Sequence, residues 1–326
     1  MSSKRDPIQE VVDSSRDLYD IVDWEVRTPI DRAAVKIYAG IVKAARSIVI
    51  LMALLILVAQ FTLVGVVIFD RPLIAVYILL SIIPAFGLAA FLWRSDVGTN
   101  EPLKLLVITF LLGLLFANFA AVVNSFLSRW FLAIPVIGMI LFFFIIVGPI
   151  EEVVKWLAVR LFAYRSPQFN TVIDGAVYGA MAGLGFATIE NSLYIAQQYL
   201  TALNTAGLTY RPLQITAIRT FAGPGHVIYS GFAGYYLGLA KFNQEHAGPI
   251  VVKGLLIAAI IHATYNSIVS NLEMIVGLTP LQGIPMGIAF IGFVFIYDGI
   301  FGFILYRKLK RYRRIYHRVG AESDLE

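Results

Sequence analysis

The sequence predicts an all-α fold, a polytopic membrane helix bundle of about eight transmembrane helices. Three observations predict it. Of 326 residues, 59% are hydrophobic and only 14% are charged, against about 45–50% and about 25% in soluble domains. Mean hydropathy is +0.77. The apolar residues also come in long runs, and about 20 of them cross a hydrocarbon core as a helix. In lipid a helix satisfies its own backbone polar groups, so helices are the natural form of such runs.

The elements follow in order. Residues 1–47 are polar and mixed in charge, with helix-compatible patterning from about Arg32. They read as a cytosolic segment ending in an interfacial helix. The first apolar run is 48–69. A tight Asp70-Arg71-Pro72 turn leads to 73–93, and 103–123 is the third run. Run 131–163 is long and is interrupted by Pro149, Glu151, Glu152 and Lys155. Run 172–199 is Gly-rich and holds Glu190, and 213–242 holds Gly223-Pro224-Gly225-His226. Run 250–272 holds His262 and Asn266, and 285–306 is the last. The transmembrane domain is thus 48–306, and 307–326 is a basic cytosolic tail. The glycines of 175–185 suit close helix packing, and no G-x-x-x-x-G-K-S/T phosphate loop occurs.

Charge placement orients the bundle. The net charge is +5, and basic residues crowd 4–46 and 307–318. Basic stretches beside membrane spans mark cytoplasmic loops near anionic lipid, not nucleic acid. An even number of spans puts both termini on one side. With both ends cytoplasmic, the inner loops hold Arg94, Lys104, Arg160, Arg165, Lys241 and Lys253, and the outer loops hold Arg71, Arg129 and Arg211. The expected location is the cell membrane, multi-pass, with cytoplasmic termini. The first run starts near Ile48, too late for a secretory signal peptide. The chain has no cysteine, which excludes disulfides, thiolate nucleophiles and Cys-based zinc sites.

A charge inside the bilayer is costly, so ionisable residues there are functional candidates. They cluster in four consecutive runs: Glu151 and Glu152, then Glu190, then His226, then His262 with Asn266. At ~1.5 Å per residue, Glu151 and His262 each lie about 18 Å from the inner ends of their runs, and Glu190 about 27 Å. His262 and Asn266 are four apart and share a helix face, as do Glu151 and Lys155. Glu151 and Glu152 point about 100° apart, so one is free to act on water while the other holds a neighbouring helix or the lysine. Asp174 reads as a helix cap, Asp298 as structural, and Arg219 as a partner for a site carboxylate. His246 and His317 lie in polar segments and read as bystanders.

The residue types define the chemistry. A carboxylate in low dielectric can serve as a general base near neutral pH. An imidazole and an Asn amide can donate to the oxyanion of a tetrahedral intermediate. Water attack on a peptide bond fits this set. A divalent metal such as zinc, held by Glu151, Glu190, His226 and His262, fits it too. No metal-free chemistry is excluded, so the cofactor is either none or such a metal. H-E-x-x-H is absent, Ser230 follows Tyr229 rather than a Gly-x pair, and Tyr297-Asp298 lacks a G-x-G-D partner. A Glu-centred site remains.

Glu151-Glu152-Val153-Val154-Lys155 resembles the E-E-x-x-K motif of the PrsW intramembrane proteases. Phe186 to Asn191 resembles their F-x-x-x-E-N motif. Asp174-Gly175-Ala176-Val177-Tyr178-Gly179, His226, and His262-Ala263-Thr264-Tyr265-Asn266 are similar to their remaining motifs. The resemblance covers roughly 142–266. It implies that 48–306 is a protease domain with Glu151, Glu152, Glu190, His226, His262 and Asn266 in the catalytic site. Lys155, Asn191 and Arg219 would support them. It also implies a wider kinship with CAAX-type prenyl proteases and bacteriocin-processing relatives, in which Glu activates water. Here Lys155 replaces their Arg and Glu190 their His, which favours cleavage of membrane-anchored proteins over prenyl-protein processing. The partners implied are such a substrate and the lipid bilayer.

Two other classes compete. Intramembrane Glu and His also build proton relays and ion sites, and breaks at Pro149 and Gly223-Pro224-Gly225 would suit a transporter or channel. A non-catalytic membrane scaffold on the same fold would have lost at least one site residue, and none is lost here.

Overall fold

The computed structural model describes residues 17, 19, 24–95, 101–203, 210–280 and 282–323. Most of the segment before residue 24 and the last three residues of the basic tail lie outside the described residues. Its contacts divide the chain into two units, Met1–Leu54 and Leu55–Glu326.

Helix α1 (Pro29–Asp70) begins in the first unit and opens on a capping box. The Asp31 amide donates to Thr28 Oγ1 at 3.2 Å, and the Thr28 amide donates to the Asp31 carboxylate at 2.6 Å. Two otherwise orphaned donors are satisfied reciprocally, and Pro29 adds a preset φ at the first helical position. The Tyr19 hydroxyl donates to the same carboxylate.

The second unit is all-helical among the described residues. The end of α1 turns through Arg71-Pro72 into α2 (Leu73–Arg94), with the Arg71 amide donating to Val67 O at 2.9 Å. Helix α3 is Leu103–Leu132. A turn at Pro135-Val136, with Val136 at φ 66°, reverses the chain into α4 (Gly138–Phe142). A π turn, Phe143–Val147, joins α4 to α5 (Gly148–Leu161). Helix α6 is Val172–Ala202, α7 is Tyr210–Lys241 and α8 is Ala247–Ser270. A short α9 (Leu272–Gly277) precedes α10 (Met286–Ser323).

Among the described residues, six helices are long and apolar enough to cross a membrane. Their burial sorts them: 89% of the apolar stretch of α6 is buried, against 17% in α1 and 22% in α10. So α6 is the axis of the bundle, and the first and last spans present apolar faces outward. The expected runs 131–163 and 213–242 are also helical, over Gly138–Leu161 and Tyr210–Lys241. They carry the polar residues discussed below, which lowers their apolarity. The third run extends to Leu132 instead of ending at 123, because nothing from Asn124 to Trp130 breaks a helix. Helix α7 also differs from the expectation of a mid-span break. It runs unbroken through Pro224, because α6 packs against it on both sides of the proline, at Arg219 before it and at His226, Ser230 and Gly234 after it.

Small residues set that packing. Gly175, Gly179 and Gly183 recur every four residues along one stripe of α6. A methyl there would collide with backbone atoms of Gly234, Ser230 and His226 on α7. The pairs 175/234, 179/230 and 183/226 define an antiparallel register, and close approach of the backbones is what small residues allow in lipid. The same register carries Glu190 to Arg219. Asp174, as expected, caps α6: its carboxylate accepts from the amides of Asn170 at 2.6 Å and Thr171 at 2.9 Å, completing a capping box with Thr171.

Candidate functional site

The π turn before α5 has an identifiable cause. Pro149 has no N–H to offer the preceding turn, and the ladder widens there. A methyl at the neighbouring Gly148 would stand 2.7 Å from Ala259 O of α8. Pro149 and Gly148 together bring the start of α5 against α8, and Glu151 and Glu152 arrive beside His262.

The two glutamates serve different neighbours, as their divergence on the helix predicts. Glu152 is fully buried. Its Oε1 accepts from Lys155 Nζ at 2.5 Å and lies 2.9 Å from His262 Nδ1. Glu151 Oε1 accepts from Asn124 Nδ2 of α3 at 2.9 Å. Glu151 Oε2 is buried without a hydrogen-bond partner and lies 3.7 Å from His262 Nε2. Among the described residues no Lys or Arg pairs with Glu151.

On α6 and α7, Arg219 ion-pairs with Glu190 and its Nε donates to Asn191 Oδ1 at 2.7 Å. The Asn191 amide donates to Ser81 O of α2 at 3.2 Å and Arg219 O at 3.3 Å. Asn191 therefore ties three helices together and fixes the guanidinium. His226 Nε2 lies 2.9 Å from Glu190 Oε2, and its Nδ1 lies 3.3 Å from Lys155 Nζ. An ammonium only donates, so Nδ1 of His226 accepts and Nε2–H donates to Glu190. By the same bookkeeping His262 gives its Nδ1–H to Glu152 and turns the Nε2 lone pair toward Glu151. The His226 and His262 rings meet edge to face at 5.1 Å, and Tyr229 stacks on His262 at 5.3 Å.

These groups border one cavity of about 500 Å³. Glu151, Glu190, Arg219, His226, His262 and Asn266 all line it. Glu152, Lys155 and Asn191 are buried behind it. The six catalytic candidates and three supporting ones thus converge from four helices. Glu190, which depth alone set apart, joins because α6 and α7 run antiparallel in the register described. Asp298 accepts from the Tyr229 hydroxyl at 3.1 Å, a structural contact. His246 and His317 are exposed and distant in the chain from the cavity.

Sequence reasoning missed Asn124, Asn118, Tyr229 and Tyr265, which line the same cavity. An asparagine inside a span is costly, but Asn118 within the third run and Asn124 just past its end are tied to the site only by packing.

Glu151, His226 and His262 each offer a ligand atom, and these atoms lie within 4.8 Å of one another. Two of them, Glu151 Oε2 and His262 Nε2, face each other at 3.7 Å. Glu152 behind His262 is the carboxylate–histidine arrangement common in metal sites. The donor set fits a divalent metal, with His226 exchanging one of its present partners. Glu190 stands outside this set.

Comparison with known proteins places the chain. A family model described as PrsW family intramembrane metalloprotease matches residues 101–300. Protease PrsW of Halalkalibacterium halodurans is 35% identical over 190 residues, covering 58% of this chain and 80% of that protein. Protease PrsW of Shouchella clausii is 28% identical over 195 residues, covering 60% and 83%. Protease PrsW of Bacillus subtilis is 27% identical over 196 residues, covering 59% and 82%. No solved structure matches the chain. The matched span holds every residue of the cavity cluster, the transporter reading gives way, and the chain belongs to the PrsW family of intramembrane proteases.

Proposed function

We propose that the chain hydrolyses peptide bonds of membrane-anchored proteins inside the bilayer, with Glu151 as general base. The observation that carries this reading is the buried, unpartnered Glu151 Oε2 facing the lone pair of His262 Nε2 across 3.7 Å. A water between them is oriented by His262 and loses a proton to Glu151 as its oxygen attacks the scissile carbonyl carbon. Asn266 and the Nε2–H of His226 are the donors available to the oxyanion. Glu151 then returns the proton to the departing amine, and the C–N bond breaks. Glu152 and Lys155 hold the two histidines in the required tautomers. Arg219 and Asn191 hold Glu190 against His226.

Glu151, His226 and His262 are the residues that would hold a divalent ion such as zinc. When bound, it would supply Lewis-acid polarisation of water and carbonyl. The cell membrane, with both termini cytoplasmic, is the setting that the charge bias supports.

The test is cleavage of a membrane-tethered reporter by purified, reconstituted protein. Glu151→Gln and Glu190→Gln are each expected to abolish it while the protein stays folded. Unchanged cleavage in both variants would sink the proposal.

A further inference from the structure

We propose that Asn118 docks the backbone of an extended substrate segment beside the scissile bond, an inference that rests on the protease reading. Asn118 lies on α3 and is 1% exposed. Neither its Nδ2 nor its Oδ1 has a hydrogen-bond partner, and it lines the cavity that holds Glu151. Burying a carboxamide unpaired costs about 1–3 kcal/mol, and a leucine, with the same branching and number of side-chain heavy atoms, would avoid that cost. A position held at such a cost has its partner elsewhere.

The chemistry of that partner follows from the amide itself. A carboxamide offers a donor and an acceptor in the pattern of a peptide group. A membrane helix presents no free backbone groups, but the segment around a bond being cut has to be unwound. Its N–H and C=O groups then face hydrocarbon, which cannot satisfy them. Asn118 can satisfy one of each. Asn124 Oδ1 is a second buried acceptor without a partner on the same wall.

The spacing gives the register. Asn124 is bonded to Glu151, and Asn118 precedes it on α3 by about 9 Å along the axis. An extended chain rises about 3.3 Å per residue. Asn118 therefore meets the substrate backbone about three residues from the bond at Glu151.

The test measures binding and cutting separately. The probe is a fluorescent single-span Leu/Ala peptide with a short central Gly/Ser segment, in lipid nanodiscs. Binding is measured to the full-length Glu151→Gln protein with and without Asn118→Leu. Asn118→Leu is expected to raise the unfolding temperature and weaken binding about tenfold, the worth of two ordinary hydrogen bonds. With the same peptide N-methylated through its central segment, the substitution is expected to make much less difference. Asn118→Ala, measured the same way, covers a leucine variant that fails to fold. Equal binding by the protein with and without the substitution overturns the proposal, and so does a peptide that binds neither. Failure of the protease reading looks different: wild-type protein leaves the peptide uncut although binding still depends on Asn118.

Discussion

Glu151 Oε2 and His262 Nε2 face each other at 3.7 Å across the cavity, while the adjacent Glu152 grips the other nitrogen of the same ring at 2.9 Å. One imidazole thus lies between two carboxylates in different states of engagement. One is committed to structure and the other keeps one oxygen without a hydrogen-bond partner.

That difference predicts opposite phenotypes for two neighbouring substitutions. Glu151→Gln removes the base but keeps an acceptor for Asn124, so cleavage should fall by at least about a hundredfold with the unfolding temperature nearly unchanged. Glu152→Gln leaves Lys155 buried without its ion-pair partner, and should cost about 3–5 kcal/mol. Thermal unfolding in detergent alongside reporter cleavage separates the two. Equal destabilisation by both variants would contradict the division of labour.

Arg219 should resist conservative exchange. Its planar fork reaches Glu190 and Asn191 at once, which a lysine cannot reproduce. Arg219→Met should destabilise by somewhat less than the about 3–5 kcal/mol of a fully buried pair, since the Glu190 side chain is 22% exposed. Arg219→Lys should recover little of the activity. Wild-type cleavage by the lysine variant would show that charge alone suffices.

The α6–α7 stripe predicts a packing defect with a functional reading. Gly179→Ala drives a methyl into Ser230 O and should cost about 1–3 kcal/mol. It also parts Glu190 from His226, so cleavage should drop. Gly248→Ala in α8 meets nothing within 4 Å and should be neutral or slightly stabilising. Unfolding temperatures of the two variants, measured side by side, check the contrast.

Metal binding can be read without activity. Purified protein stripped by chelation is expected to take up one equivalent of zinc, measured by calorimetry and elemental analysis. Glu151→Gln and His262→Ala should each weaken uptake at least about tenfold. Uptake that ignores both substitutions would place the ion elsewhere. Full cleavage by protein shown to be metal-free would leave Glu151 acting on water alone.

The cap of α1 should respond to acid. Hydrogen bonds from the Tyr19 hydroxyl and the Thr28 amide hold the Asp31 carboxyl well below the usual carboxylate range. A depressed folded value means that the cap's contribution is fully present above about pH 4, the unfolded value. It is lost as pH falls toward the folded value. Hydrogen-exchange protection of the Arg27 and Thr28 amides, corrected for intrinsic rates, should decline only below about pH 4. A decline centred near neutral pH would assign the cap to another group.

Much of this protein is legible one residue at a time. Run length and composition determine a helical membrane fold, since lipid leaves the backbone no other open-ended choice. The cost of charge in a span picks out Glu151, Glu190, His226 and His262 without any structure. The E-E-x-x-K, F-x-x-x-E-N and later His motifs carry the family. Spacing on a single helix also separates Glu151 from Glu152, because adjacent residues cannot share a face.

What only the tertiary structure decided is which atom faces which. The free oxygen of Glu151, the double engagement of Glu152 and the inclusion of Glu190 all depend on contacts between helices far apart in sequence. Those contacts follow from the backbone approach at Gly148 and along the Gly175 stripe, where a single methyl would change the register. Asn118 and Asn124 stayed hidden for the same reason. Asparagine in a span is costly wherever it points, and only packing shows that these two point at Glu151 and its cavity.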